Sequence, residues 1–163
     1  SLHVIDPALD QIKIYEGCYE LLGPAWNWNV ENATHILRMV CNGVFKRFPK
    51  AKLIAGHMGE GLPYYLGRID EGFVSFLGQS LKKIDRLPSE YIRSNVYVST
   101  SGKYFPPTLR CAIDAMGIDK IIFATDYPFF DMKEAVLQIE SSNLTDYEKE
   151  CIYFRNAEKL LHI

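Results

Sequence analysis

Four places in the sequence carry side chains that could do chemistry together. His3 stands on an apolar run expected to form a strand over Ser1–Ile5, and His57 follows the apolar run Lys52–Gly56. Ser99-Thr100-Ser101 close the run Asn95–Ser99, and Thr125-Asp126 close Lys120–Ala124. Two imidazoles and a carboxylate on one rim are a donor set suited to a divalent cation such as Zn²⁺ or Mn²⁺. Glu60 lies three residues after His57, where its carboxylate can orient the imidazole; His57-x-x-Glu60 can also ligate zinc as a pair. The flanking Gly56 and Gly59 let backbone pass close to a ligand.

Each of these residues also has a plainer role. His3 can be an exposed side chain, and Asp126 can be a helix N-cap, since an unpaired carboxylate beside Tyr127-Pro128-Phe129 is costly to bury. His35 falls mid-helix and reads as a packed or surface residue, and His162 reads as incidental. Cys18, Cys41, Cys111 and Cys151 form no CxxC pair and are expected as reduced thiols. The dinucleotide fingerprint GxGxxG, the phosphate loop GxxxxGK[ST] and the nucleophile elbow GxSxG are all missing from the sequence.

The elements that must position these residues alternate. A short helical patch is expected near Tyr15–Leu22, stopped by Gly23-Pro24. A long amphipathic helix follows, with Asn29 as N-cap, Val30, Ala33, Leu37, Val40, Cys41, Val44, Phe45 and Phe48 on one face, and Pro49 at its end. After the strand Lys52–Gly56, helical periodicity returns over Leu62–Leu77, with Pro63 suited to a first turn. Leu87-Pro88 and Tyr91-Ile92 read as a connector to the strand Asn95–Ser99. Pro106-Pro107 open a helix through Met116, and the strand Lys120–Ala124 leads to helices over Asp131–Glu140 and Asp146–Leu161, the last capped by Thr145. The β-α-β-α-β-α-β-α order predicts an α/β fold, a parallel sheet with helices outside, either doubly wound or barrel-like. Both place the site at the carboxyl ends of the strands, where all four groups fall.

The chain has 163 residues, 48% hydrophobic and 23% charged, with 13% aromatics and a net charge of -2. That supports one domain with its own core, and the charge balance argues against a nucleic-acid partner. No run approaches the ~18 apolar residues of a membrane span, so no membrane partner and a cytoplasmic location are expected. The strand expected at the very start, led by Ser1, suggests part of a longer protein.

Gly23-Pro24-Ala25-Trp26 through Leu37, Gly56-His57-Met58-Gly59-Glu60-Gly61-Leu62-Pro63, Arg68-Ile69-Asp70, Ala124-Thr125-Asp126-Tyr127-Pro128-Phe129 and Asn156-Ala157-Glu158-Lys159-Leu160 together resemble the amidohydrolase-2 family. Within it they resemble the metal-dependent, non-oxidative hydroxybenzoate decarboxylases. The resemblance implies the C-terminal half, strands 5–8, of a distorted (β/α)8 barrel. It implies His3 and Asp126 as ligands of a divalent metal (Zn or Mn), and His57 with its partner Glu60 as catalytic residues. Asp126 would also donate the proton. Arg68 matches an arginine that binds the substrate carboxylate, in some relatives from a neighbouring subunit. A small aromatic carboxylate substrate and a homo-oligomer (dimer or tetramer) follow. Val4 departs from the family's usual proline, and the strand-1 metal ligands are absent from these residues. A lactone or amide hydrolase, or a fragment acting only in assembly, are the alternatives.

Overall fold

The computed structural model describes residues 2, 8, 12–77, 83–102 and 105–163. Three strands form its sheet: β1 (Leu53–Ala55), β2 (Val96–Ser99) and β3 (Ile121–Ile122), all parallel and in sequential order. Leu53 pairs with Val96, and Val98 with Ile121. Leu2 extends the order on the other side of β1 by a parallel bridge to Ala55, its N–H donating to the Ile54 carbonyl at 3.1 Å. The rest of the strand expected over Ser1–Ile5 lies outside the described residues. A doubly wound sheet reverses its strand order partway, whereas consecutive barrel strands run in sequence. Among the described residues the strands run in sequence with no reversal, the order of neighbouring barrel strands.

β1 and β2 are each followed by a helix on the outer face. The Leu62–Leu77 helix forms as expected, and so does Pro106–Met116, which ends at Gly117 with φ 93°. The long helix expected up to Phe48 is instead two: α1 (Asn27–Cys41) and α2 (Val44–Arg47). Gly43 separates them with φ 72°, and a side chain there would meet the Lys83 carbonyl oxygen at 2.6 Å. We number Leu62–Leu77 as α3. Trp26, not Asn29, is the residue that precedes the first turn of α1.

The apolar phase of α1 also differs from expectation. Ile36 and Val40 are buried, with Asn32 one turn before Ile36, whereas Val30 is exposed. The connector expected around Leu87–Ile92 is a helix, α4 (Pro88–Asn95), started by Pro88 and by the Leu87 N–H donating to the Glu90 carboxylate at 2.8 Å. At its end, buried Asn95 donates to the carbonyls of Pro49 and Ala51, fixing the approach to β1. Pro106–Met116 is α5. Tyr15–Leu22 is a series of short 3₁₀ turns.

β3 is shorter than expected because side chains take over its ladder. Thr100 Oγ1 donates to the Ala124 carbonyl and accepts from the Ala124 N–H, and buried Asn156 donates to the carbonyls of Ile118 and Ile121. Helix α6 (Met132–Glu140) is capped by Asp131, and α7 (Asp146–Glu150) by Thr145. A π turn, Cys151–Arg155, joins α7 to α8 (Asn156–Leu161), and its Ile152 carbonyl accepts from the Phe123 N–H at 2.9 Å. The core lies between sheet and helices: Val98 and Ile121 from the strands, Ile36, Leu66, Leu109, Ile139 and Ile152 from the helices. Each such side chain contributes about 1.5–3 kcal/mol by leaving water.

Candidate functional site

At the end of β1 the chain turns with the opposite hand. His57, Met58, Gly59, Glu60 and Gly61 all have positive φ, from 44° to 75°, and the Gly59 N–H donates to the Gly56 carbonyl at 2.7 Å. Left-handed backbone costs a non-glycine residue roughly 1–2 kcal/mol, and three such residues occur here in one turn. Strain of this kind persists only where the surroundings enforce it. Ser101 Oγ accepts the His57 N–H at 3.0 Å and lies 2.8 Å from Ser99 Oγ, so the hydroxyls beyond β2 tie down the turn. Gly59 packs on Val98 and Pro63, where a Cβ would lie 3.0 and 3.1 Å from their side chains. Gly102, at φ 78°, lies against the site itself: a Cβ there would stand 3.3 Å from His57 Cδ2 and 3.8 Å from Asp126 Oδ2.

The turn aims His57 between two carboxylates. Glu60 is buried, and its Oε1 accepts from His57 Nδ1–H at 2.9 Å and from Asn32 Nδ2–H at 3.0 Å. Its Oε2 is buried with no hydrogen-bond partner among the described residues. On the other side, His57 Nε2 lies 3.7 Å from Asp126 Oδ2. The hydrogen bond to Glu60 holds the His57 imidazole above the usual histidine range; burial opposes it, and the charges of Glu60 and Asp126 reinforce it. Asp126, beyond β3, is itself in left-handed backbone at φ 66°. It does not cap α6, because Asp131 does.

These groups open into a cleft of about 990 Å³ whose floor is polar and whose walls are apolar. Trp28 and Pro24 line one side, and Tyr64, Phe105 and Phe129 stand at the rim, 77%, 70% and 87% exposed. The structure thus brings together His57, Glu60 and Asp126 as expected from the sequence. It does not bring Arg68 to the cleft: that side chain is 72% exposed on α3 and paired with Glu71 at 3.1 Å. His3 lies outside the described residues. Asn32 was not expected: it is one of three asparagines in the first six residues of α1, with Asn27 and Asn29, and nothing in the sequence sets it apart from them. His35 pairs with Glu31 on the helix surface, and all four cysteines are free thiols.

Among the described residues no three His, Cys, Asp or Glu side chains form a metal-holding group. Of the residues expected to hold a divalent metal, Asp126 presents a carboxylate oxygen to the cleft, donor chemistry that suits Zn²⁺ or Mn²⁺, with His57 Nε2 3.7 Å away, while His3 lies outside the described residues.

Residues 12–163 match the family model Amidohydro_2, described as amidohydrolase. The chain is 36% identical over 162 residues to a gamma-resorcylate decarboxylase of Polaromonas sp. (strain JS666), covering 99% of this chain and 50% of that protein. It is 34% identical over 167 residues to a gamma-resorcylate decarboxylase of Rhizobium sp. (strain MTP-10005), again with 99% and 50% coverage. Among solved structures it is similar to a dihydroxybenzoic acid decarboxylase from Polaromonas sp. JS666 with bound manganese and 2-nitroresorcinol, at TM-score 0.91, 36% identity, and 99% and 48% coverage. It is also similar to a 5-carboxyvanillate decarboxylase from Sphingomonas paucimobilis, at TM-score 0.89, 31% identity, and 99% and 47% coverage. The chain spans about half the length of the curated relatives it matches.

Proposed function

The chain belongs to the amidohydrolase family, and from that premise we propose that the whole protein is a metal-dependent, non-oxidative decarboxylase of a hydroxybenzoate-like acid. The observation that carries the reading is the pairing of His57 with Asp126 at 3.7 Å on the floor of an apolar-walled cleft, with a buried carboxylate behind the imidazole. An aromatic ring fits such walls, and its carboxylate and hydroxyl fit such a floor. The likeness to decarboxylases over 99% of the chain supports the same chemistry.

In this reading Asp126 and His3 would hold a divalent cation, Zn²⁺ or Mn²⁺, which would supply Lewis acidity toward the substrate's oxygens. Asp126 delivers a proton to the ring carbon bearing the carboxylate. The bond between that carbon and the carboxylate then breaks, carbon dioxide leaves, and the electron pair returns to the ring and restores aromaticity. Asp126 recovers its proton from water. His57, held by Glu60, orients the reacting group and stabilises charge as it develops. The apolar walls exclude bulk water and sharpen these interactions.

Arg68 belongs to the reading as the carboxylate-binding arginine of a homo-oligomer. Its exposure on α3 suits a side chain that reaches a neighbouring copy's cleft. A cytoplasmic location and a small aromatic carboxylate partner complete it. Among the described residues no helix is long and apolar enough to cross a membrane.

The test is to supply the metal-loaded whole protein with dihydroxybenzoates and, separately, with aryl lactones and amides. Release of carbon dioxide from the former is the expected result. Turnover of the latter alone would replace decarboxylation with hydrolysis, in which His57 and Asp126 activate water. Activity on neither class would leave a role in assembly.

A further inference from the structure

Asn32 is an uneconomical residue for its position. It lies in the interior of α1, 2% exposed, one turn before Ile36 and two before Val40. Asparagine is a weak helix former, and a buried amide costs free energy unless it is paired. An aliphatic residue would continue the buried stripe without either cost. The Asn32 amide is instead directed to one atom, Glu60 Oε1, at 3.0 Å.

That same oxygen accepts the His57 Nδ1–H, while Glu60 Oε2 has no partner among the described residues. The terminal torsion of a glutamate is broad and two-fold, so a carboxylate held by His57 alone could rock or exchange its oxygens. A second donor on Oε1, from a different helix, removes that freedom. Glu60 is also in left-handed backbone and cannot readjust its main chain to compensate.

We propose that Asn32 is a positioning residue that latches the Glu60 carboxylate, and thereby fixes His57 as its Nδ1-protonated tautomer with Nε2 turned to the cleft and Asp126. The latch couples α1 to the reactive floor of the cleft. It rests on the reading of that floor as the reactive site, while its primary readout needs neither substrate nor metal.

The experiment is ¹⁵N NMR of His57 in the whole, metal-free protein, above the pH range in which the imidazole titrates. Wild type is expected to show the Nδ1–H tautomer. Asn32→Leu removes the donor at similar volume, and Asn32→Asp sets a carboxylate oxygen against Glu60 Oε1; both are expected to admit the Nε2–H tautomer. In the metal-loaded protein both are expected to lower kcat by about 10- to 100-fold with KM within a few-fold, the size typical for partners that orient a functional histidine. An Nε2–H tautomer in wild type overturns the proposal. So does an unchanged tautomer in a folded variant, judged by far-UV circular dichroism. Should Asn32→Leu fail to fold, the wild-type spectrum and Asn32→Asp decide. An inactive wild-type protein with the expected spectra would count against decarboxylation and leave the latch standing.

Discussion

Asp126 occupies left-handed backbone, and this makes its substitution unusually informative. Asparagine tolerates that conformation better than most residues, so Asp126→Asn removes the proton donor while sparing the fold. Under the proposed chemistry kcat is expected to fall roughly 10²- to 10⁴-fold, the range for loss of a general acid, with an unchanged urea midpoint. Wild-type carbon dioxide release from Asp126→Asn would remove this residue from proton transfer. Asp126→Ala is expected to add a stability loss of about 1–2 kcal/mol from the backbone alone. At this scale the sequence was informative where chemistry is local: His57 and Glu60 are three residues apart, and their contact follows from one turn. It was silent on Asn32, because Asn32 and Glu60 stand 28 positions apart and only the tertiary packing of α1 brings them together.

Among the elements, the left-handed turn His57–Gly61 is where geometry is most constrained. Gly59→Ala would place a methyl 3.0 Å from Val98 and 3.1 Å from Pro63 at φ 74°. A destabilisation of about 1–3 kcal/mol is expected, read as a lower urea midpoint at unchanged slope. Helix α7 provides a pH-dependent contrast. Thr145 N–H donates to Glu148 Oε2 at 2.9 Å, while Glu148 N–H donates to Thr145 Oγ1 at 3.2 Å. The Thr145 N–H holds the Glu148 carboxyl below its usual range, and burial opposes this only partly. The folded value therefore lies below the unfolded one, so the capping contribution is present above the unfolded pKa. It is lost as pH falls through the folded pKa. Glu148→Gln and wild type are expected to differ in thermal midpoint near neutrality and to converge in acid. Parallel curves at every pH would show that the charge contributes nothing. Capping signals were legible in sequence because they are short-range, as at Thr145 and Pro106. Helix α4 was not: its apolar residues are few, and what starts it is one proline and one glutamate carboxylate.

At the scale of the molecule, alternation of strands and helices announced an α/β fold, yet could not choose between an open sheet and a barrel. That choice rests on strand order, which depends on non-local pairing such as Val98 with Ile121. The sequential order sets His57, Glu60 and Asp126 at one end of a shared core, with the apolar rim of Tyr64, Phe105 and Phe129 above them. Such a rim has a practical consequence. A fluorescent naphthalene sulfonate, flat, anionic and aromatic, meets the same requirements as the proposed substrate, so the native protein is expected to light it before any unfolding occurs. Dye-based melting curves would then start from a bright baseline. The same brightness becomes a titration: dihydroxybenzoates that enter the cleft should quench it by displacement, ranking ligands without turnover, whereas aliphatic carboxylates of equal charge should leave it lit.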